Sequence, residues 1–285
     1  MTKTMMYKIV AAIACVVALF TVTTAYSQVC CTPSATERFA SLASDEAFVH
    51  SHEAPLPISV ALAGKAVTFG CSDHKDGSAY FVRSSKHPND VVLMVHEYWG
   101  LNDYIRSEAD KISSELGVSV IAVDLYDGKV ATNPDDAGKY MKSVTTDRAV
   151  AIIRGALAYV GPTVKIATIG WCFGGGWSNQ AAIIAGKQAT ACVMYYGMPE
   201  SDVAKLKTLN CPVLGIFAGK DKWIDAKVVD GFKANMKSAG KQLTVYSYDA
   251  DHGFANPSNP HHDATATKEA WGHASMFLRK AFGLN

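Results

Sequence analysis

The amino-acid sequence predicts an α/β domain built on an eight-stranded, mostly parallel sheet with helices on both faces. Three observations carry this prediction. Short β-rich runs recur from residue 66 onward, and helical patterns separate the later ones. The runs are nearly continuous in apolar residues rather than alternating, as strands covered on both faces are. The strands are expected at residues 66–71, 78–83, 91–96, 118–124, 164–170, 191–196, 213–218 and 243–248. Among them, 91–95 reads Val-Val-Leu-Met-Val and 213–218 reads Val-Leu-Gly-Ile-Phe-Ala. Helices are expected at 103–116, 146–160, 175–185, 226–238 and 264–281, where apolar residues return at helical rather than strand spacing. No linker divides this block, so 66–285 reads as one domain.

Two segments precede it. Lys3 and Lys8 give a positive n-region before twelve consecutive apolar residues, 9–20, and a short c-region ends Ala25-Tyr26-Ser27 before Gln28. This is the layout of a secretory signal peptide, and twelve residues fall short of the roughly 20 a membrane-spanning helix needs. Residues 1–27 are therefore expected to be removed near Ser27-Gln28, giving an exported protein, periplasmic or secreted, without stable membrane insertion. Residues 28–65 form a polar, alanine-rich extension with a short helix expected over 34–44. An extended connector is expected from His50 to Pro57, where two prolines interrupt the chain. His50 and His52 on such a loop are expected to be solvated rather than to hold a metal.

Composition sets further bounds. Among 285 residues, 27 Lys+Arg meet 26 Asp+Glu for a net charge of +1. Signal removal takes two lysines and no acid, which turns +1 into −1. Neither value suits a nucleic-acid partner, which needs a clustered basic excess. At 49% apolar and 19% charged, the chain can bury a real core. Seven cysteines are too few for a disulfide scaffold of this size, although Cys30 or Cys31 could bridge to Cys71 in an oxidising compartment. Cys192 and Cys211 sit in apolar runs and are expected to be buried thiols.

The chemistry concentrates after three strands. Residues 164–170 run into Trp171-Cys172-Phe173-Gly174-Gly175-Gly176, a G-x-C-x-G elbow with a helix behind it. Glycines flank the nucleophile position because a Cβ there would strike neighbouring backbone. The helix N-terminus favours a thiolate and an oxyanion. Asp221 follows the 213–218 run and His252 follows the 243–248 run. Nucleophile, acid and histidine in that order, each after its own strand, is the α/β-hydrolase arrangement. Asp225, Asp249 and Asp251 are the rival acids, and each is expected to be a solvated surface group. His261-His262-Asp263 reads as the turn that leads into a helix, with Asp263 as its cap.

Gly170-Trp171-Cys172-Phe173-Gly174-Gly175, His96-Glu97-Tyr98-Trp99-Gly100-Leu101-Asn102, Gly219-Lys220-Asp221 and His252-Gly253-Phe254-Ala255 together resemble the dienelactone hydrolase family over residues 66–285. The resemblance implies a Cys172–His252–Asp221 triad that opens lactones and cleaves activated esters without a cofactor. It gives Glu97 the role of approaching the resting thiol until substrate displaces it; the residue alone also fits a backbone-bonded glutamate at a strand end. The oxyanion hole would be the backbone N–H groups of Phe173 and Tyr98, with Trp99, Tyr196 and Asn256 at the substrate pocket. Asn256 departs from the family, which carries an arginine there to grip a substrate carboxylate. An amide cannot make that bidentate contact. Arg148, Arg154, Lys139 and Lys142 lie in the segment where a second cation is sought. Two functions fit the residues: a thiol hydrolase acting on small-molecule esters or lactones through a Cys172 acyl-enzyme, or a non-catalytic protein that binds small molecules on the same scaffold.

Overall fold

The computed structural model describes residues 34–56 and 58–285. The expected signal segment, Cys30, Cys31 and Pro57 lie outside them. The strands are β1 (Lys65–Gly70), β2 (Asp76–Val82), β3 (His87–Val95), β4 (Val118–Val123), β5 (Lys165–Trp171), β6 (Ala189–Tyr195), β7 (Val213–Ala218) and β8 (Leu243–Tyr248). All eight join one sheet in the order β1-β2-β4-β3-β5-β6-β7-β8. β2 runs antiparallel to both β1 and β4, and every other pair is parallel. Every residue of β4 and β7 is buried, whereas β8 at the sheet edge alternates between half-buried and exposed. The near-continuous apolar runs thus mark the strands sandwiched between helix layers.

The helices α3 (Asp103–Leu116), α5 (Thr146–Val160), α6 (Phe173–Ala185), α8 (Ala226–Ala239) and α9 (Ala264–Phe282) fall where the periodicity predicts. Their ends follow local chemistry. Asn102 caps α3 by accepting from the Ile105 N–H, and Gly117 ends it in the left-handed region at φ 72°. Asp263 caps α9 as expected, accepting from Thr265 and Ala266. Asp225, one of the rival acids, caps α8 through Val228. Two helices were not foreseen, α4 (Pro134–Ser143) and α7 (Val203–Lys207). Asn133 and Pro134 form a proper start signal for α4, but two aspartates and Gly138 make its sequence resemble a loop.

The amino-terminal extension corrects the sequence reading. The expected helix over 34–44 resolves into α1 (Ala35–Ala40) and a 3-10 turn, and a further helix, α2 (Glu46–His50), replaces the start of the expected connector. Ser34 and Glu37 form a reciprocal capping box on α1, and Asp45 caps α2. These short helices hold by burial rather than propensity. Phe39 and Phe48 are completely buried. Phe48 packs edge-on against Phe39, Tyr98 and Trp223 at centroid distances of 5.7, 5.7 and 5.1 Å. The Trp223 indole N–H donates to Asp45 at 3.0 Å. The extension is therefore a lid on the carboxyl-terminal edge of the sheet.

Among the described residues, Cys71, Cys172, Cys192 and Cys211 form no disulfide with one another. Cys192 and Cys211 are buried, as expected. No helix of the described residues is long and apolar enough to cross a membrane.

Candidate active site

In an open parallel sheet, a crevice forms where neighbouring connections leave toward opposite faces. Here that point lies at the ends of β3 and β5, which are adjacent in the sheet. Cys172 follows β5 directly and is the N-cap residue of α6. Its backbone sits at φ 55°, ψ −121°, a left-handed conformation costly for a residue with a Cβ. The turn closes because Gly170 and Gly174 lack side chains: a Cβ on Gly170 would collide with the Gly174 carbonyl, and one on Gly174 with the Val95 and His96 carbonyls. The strained elbow is thereby wedged against the end of β3.

The residues expected to act together do meet. His252 Nε2 lies 3.3 Å from Cys172 Sγ, and His252 Nδ1 lies 2.6 Å from Asp221 Oδ2. A carboxylate only accepts, so Nδ1 carries the proton and Nε2 faces the sulfur. Asp221 Oδ1 also accepts from the Trp223 and Ile224 N–H groups, which fix its orientation. All three side chains are buried. Burial pulls against the His252 imidazolium, yet the adjacent Asp221 carboxylate and Cys172 sulfur outweigh it and hold the pKa up at about 10. Burial likewise opposes the Asp221 charge, but His252 and the two backbone donors hold that carboxyl below its usual range. Burial pushes the Cys172 thiol up, while His252 and the Phe173 N–H favour its thiolate. The Phe173 and Tyr98 N–H groups have no carbonyl or side-chain oxygen acceptor among the described residues.

Glu97 lies close enough for its charge to oppose the Cys172 thiolate, but among the described residues its hydrogen-bond partner is not the sulfur. Its Oε2 accepts a hydrogen bond from Asn256 at 3.1 Å, and the Cys172 sulfur is partnered by histidines instead. Burial pushes the Glu97 carboxyl up to about 7, with the Asn256 amide and His252 pulling the other way. Asn256 therefore tethers the glutamate rather than standing free to receive a substrate. His96 is structural. Its Nδ1–H donates to the Glu97 carbonyl at 2.8 Å, and its Nε2 accepts from the Leu125 N–H at 3.1 Å, joining the ends of β3 and β4.

His52 is the residue sequence reasoning placed wrongly. It was expected on a solvated loop, and His50 is indeed exposed, but His52 is only 5% exposed. Its Nδ1 lies 2.7 Å from the Phe48 carbonyl, so that nitrogen carries the proton and Nε2 presents a lone pair 3.9 Å from Cys172 Sγ. Its ring packs on Tyr98 and Phe48, each at 4.5 Å. Burial, reinforced by the charge on His252, drives its pKa down to about 3. No motif or spacing in the sequence announces this residue. One ligand atom each from His52, Cys172 and His252 lies within 4.8 Å of the others, the one such donor cluster among the described residues.

Beside this centre lies a cavity of about 270 Å³. Trp99, Glu97 and Asn256 line it, as does Lys111 on α3. Tyr196 does not: it packs against the His252 ring at 5.1 Å, and Tyr195 faces the cavity in its place. Tyr196 follows the end of β6 with a positive φ of 33°. None of Arg148, Arg154, Lys139 and Lys142 reaches the cavity. Arg148 is instead clamped by Asp73 and Asp127 at 3.0 and 2.6 Å. Cys172 does not line the cavity either and is 1% exposed beneath the lid.

Comparisons with known proteins place the fold in a family. The chain is 27% identical over 214 residues to "Protein usf" of Aquifex pyrophilus, covering 70% of this chain and 92% of that one. It is 28% identical over 213 residues to a provisionally named carboxymethylenebutenolidase of Aquifex aeolicus (strain VF5), covering 70% and 91%. A crystal structure of a provisionally named dienelactone hydrolase from Klebsiella pneumoniae subsp. pneumoniae MGH 78578 superposes with a TM-score of 0.66 at 22% identity, covering 76% of this chain and 99% of that one. The family profile described as "Dienelactone hydrolase family" matches residues 78–282, and the chain belongs to that family of α/β-fold hydrolases.

Proposed function

We propose that this hydrolase cleaves ester or lactone bonds of small molecules through a Cys172 acyl-enzyme, in a reaction that needs no cofactor. The observation that carries this reading is the aligned Asp221–His252–Cys172 relay, with contacts of 2.6 and 3.3 Å. Cys172 Sγ attacks the carbonyl carbon, and its proton resides on His252 Nε2. The Phe173 and Tyr98 N–H groups receive the oxyanion. His252 then protonates the leaving alkoxide, leaving a thioester. Water enters, His252 takes its proton, and collapse of the second tetrahedral intermediate frees the acid and restores the thiol. Asp221 keeps Nδ1 protonated throughout.

The cavity narrows the substrate class. Trp99, Trp171, Tyr195 and Trp271 give it aromatic walls. Lys111 is paired with Glu108 at 3.2 Å, and Asn256 with Glu97. No unpaired cation among the described lining residues waits for a carboxylate, so a neutral, apolar acyl group fits better than an anionic lactone. The signal-like layout of residues 1–27 supports export, with the mature chain beginning at Gln28.

A second reading, a non-catalytic binding protein, draws on the burial of Cys172 under Phe48 and His52. One panel of neutral aryl esters, thioesters and lactones decides between them, run on the wild type and Cys172→Ala together. Hydrolysis by the wild type and none by the variant is expected. Equal rates in both would remove Cys172 from the chemistry, and no turnover by the wild type would favour the binding protein.

A further inference from the structure

The lid brings to the thiol a further donor, His52, that ester hydrolysis does not use. His52 Nε2 and His252 Nε2 both face Cys172 Sγ, at 3.9 and 3.3 Å. A tetrahedral zinc with sulfur at about 2.3 Å and nitrogen at about 2.0–2.1 Å has S···N edges of about 3.5 Å. The two edges here straddle that value. The His52–His252 edge lies within 4.8 Å, and the 3.9 Å His52–Cys172 edge closes by a few tenths of an ångström on binding. We propose that His52, Cys172 and His252 form a binding site for a divalent borderline cation, zinc, with a fourth position left for water or another small ligand.

The outer contacts are those of a built metal site. A ligating imidazole is normally held by an acceptor on its other nitrogen, which sets the tautomer and sharpens the lone pair. His252 Nδ1–H donates to the Asp221 carboxylate at 2.6 Å, and His52 Nδ1–H donates to the Phe48 carbonyl at 2.7 Å. His52 Nε2 is thus an unprotonated donor, and His252 Nε2 becomes one when the proton it shares with Cys172 leaves as the cation binds. Tyr98 and Phe48 clamp the His52 ring in place. Two imidazoles and one thiolate select zinc over the hard cations, which prefer oxygen. Binding converts the thiol to a ligating thiolate and releases one proton to solvent; no electron is transferred. If Cys172 is the nucleophile of the proposed function, zinc takes both its sulfur lone pair and the His252 base, and the enzyme is reversibly silenced. The lid would then set metal sensitivity, since one of the three ligands is its own.

The test uses the full-length, reduced protein with one equivalent of zinc, or of cobalt(II) as a spectroscopic stand-in. A thiolate-to-cobalt charge-transfer band is expected in the wild type and in the exposed-histidine variant His50→Ala. The band is expected to vanish in His52→Gln and in Cys172→Ser, with zinc affinity falling by about 100-fold or more, beyond the 10- to 100-fold that outer-shell changes cost. X-ray absorption of the wild-type zinc complex should give one sulfur and two imidazoles, a readout that stands even if His52→Gln fails to fold by its melting curve. No thiolate band in the wild type, a band that survives His52→Gln, or a first shell without that sulfur would overturn the site. Ester turnover measured with chelator separates the two proposals. Zinc binding without any turnover would sink the hydrolase reading alone, and turnover without zinc binding would sink this one alone.

Discussion

Acidification should loosen the lid through His52. The histidine is buried with its pKa depressed to about 3, against 6.5 for the free side chain. A depressed histidine contributes stability that is present above pH 6.5 and lost as pH falls toward the folded value, because only the open form takes up the proton. Between pH 8 and pH 5 the linkage relation gives about 2 kcal/mol, or about a 30-fold increase in the open population. His252 and His261 push His52 in the same direction, and Asp221 opposes them. Burial of Phe39 and Phe48, worth roughly 1.5–3 kcal/mol each, still favours the closed lid, so opening at pH 5 is a change in a minor population. Hydrogen exchange of the α2 amides, corrected for intrinsic rates, reads that population directly. Glu97 titrates in the same window with a pKa of about 7, so the control is His52→Gln, which keeps a polar ring-sized group without the proton. Protection in α2 should fall about 30-fold in the wild type and far less in the variant. Equal losses in both would refute the assignment of the effect to His52.

Two shorter predictions concern the reacting centre. Asp221→Asn preserves shape but lets His252 adopt the wrong tautomer, so kcat should fall by about 10³–10⁴-fold with KM little changed. A loss of less than tenfold, by steady-state ester kinetics, would assign the orienting role elsewhere. Gly174→Ala places a methyl against the Val95 and His96 carbonyls and should cost about 3 kcal/mol or more in urea denaturation. A melting curve that matches the wild type would mean the elbow relaxes more freely than its packing allows.

How far the sequence carried depends on how local each feature is. The strand runs, the elbow glycines and the positions of Asp221 and His252 after successive strands are written in consecutive residues, and the structure places them as expected. Asp263 is legible for the same reason, since a cap acts within its own first turn. Tyr196 packs on the His252 ring while Tyr195 lines the cavity, a division between neighbours that the docking of distant elements decides. The partner of Glu97 was not legible, because the Asn256 amide that engages its carboxylate lies 159 residues away in sequence.

By itself, then, the sequence determined the α/β sheet, the nucleophile turn and the order of the three groups, all of which follow from periodicity and tight-turn sterics. Only the tertiary structure decided that the extension folds back over the site and sets His52 against Cys172, 120 residues distant. Hydrophobic periodicity states which face of an element is buried, not which partner buries it. The contact of Phe48 with Tyr98 and Trp223 is a property of docked surfaces, and no local pattern encodes it.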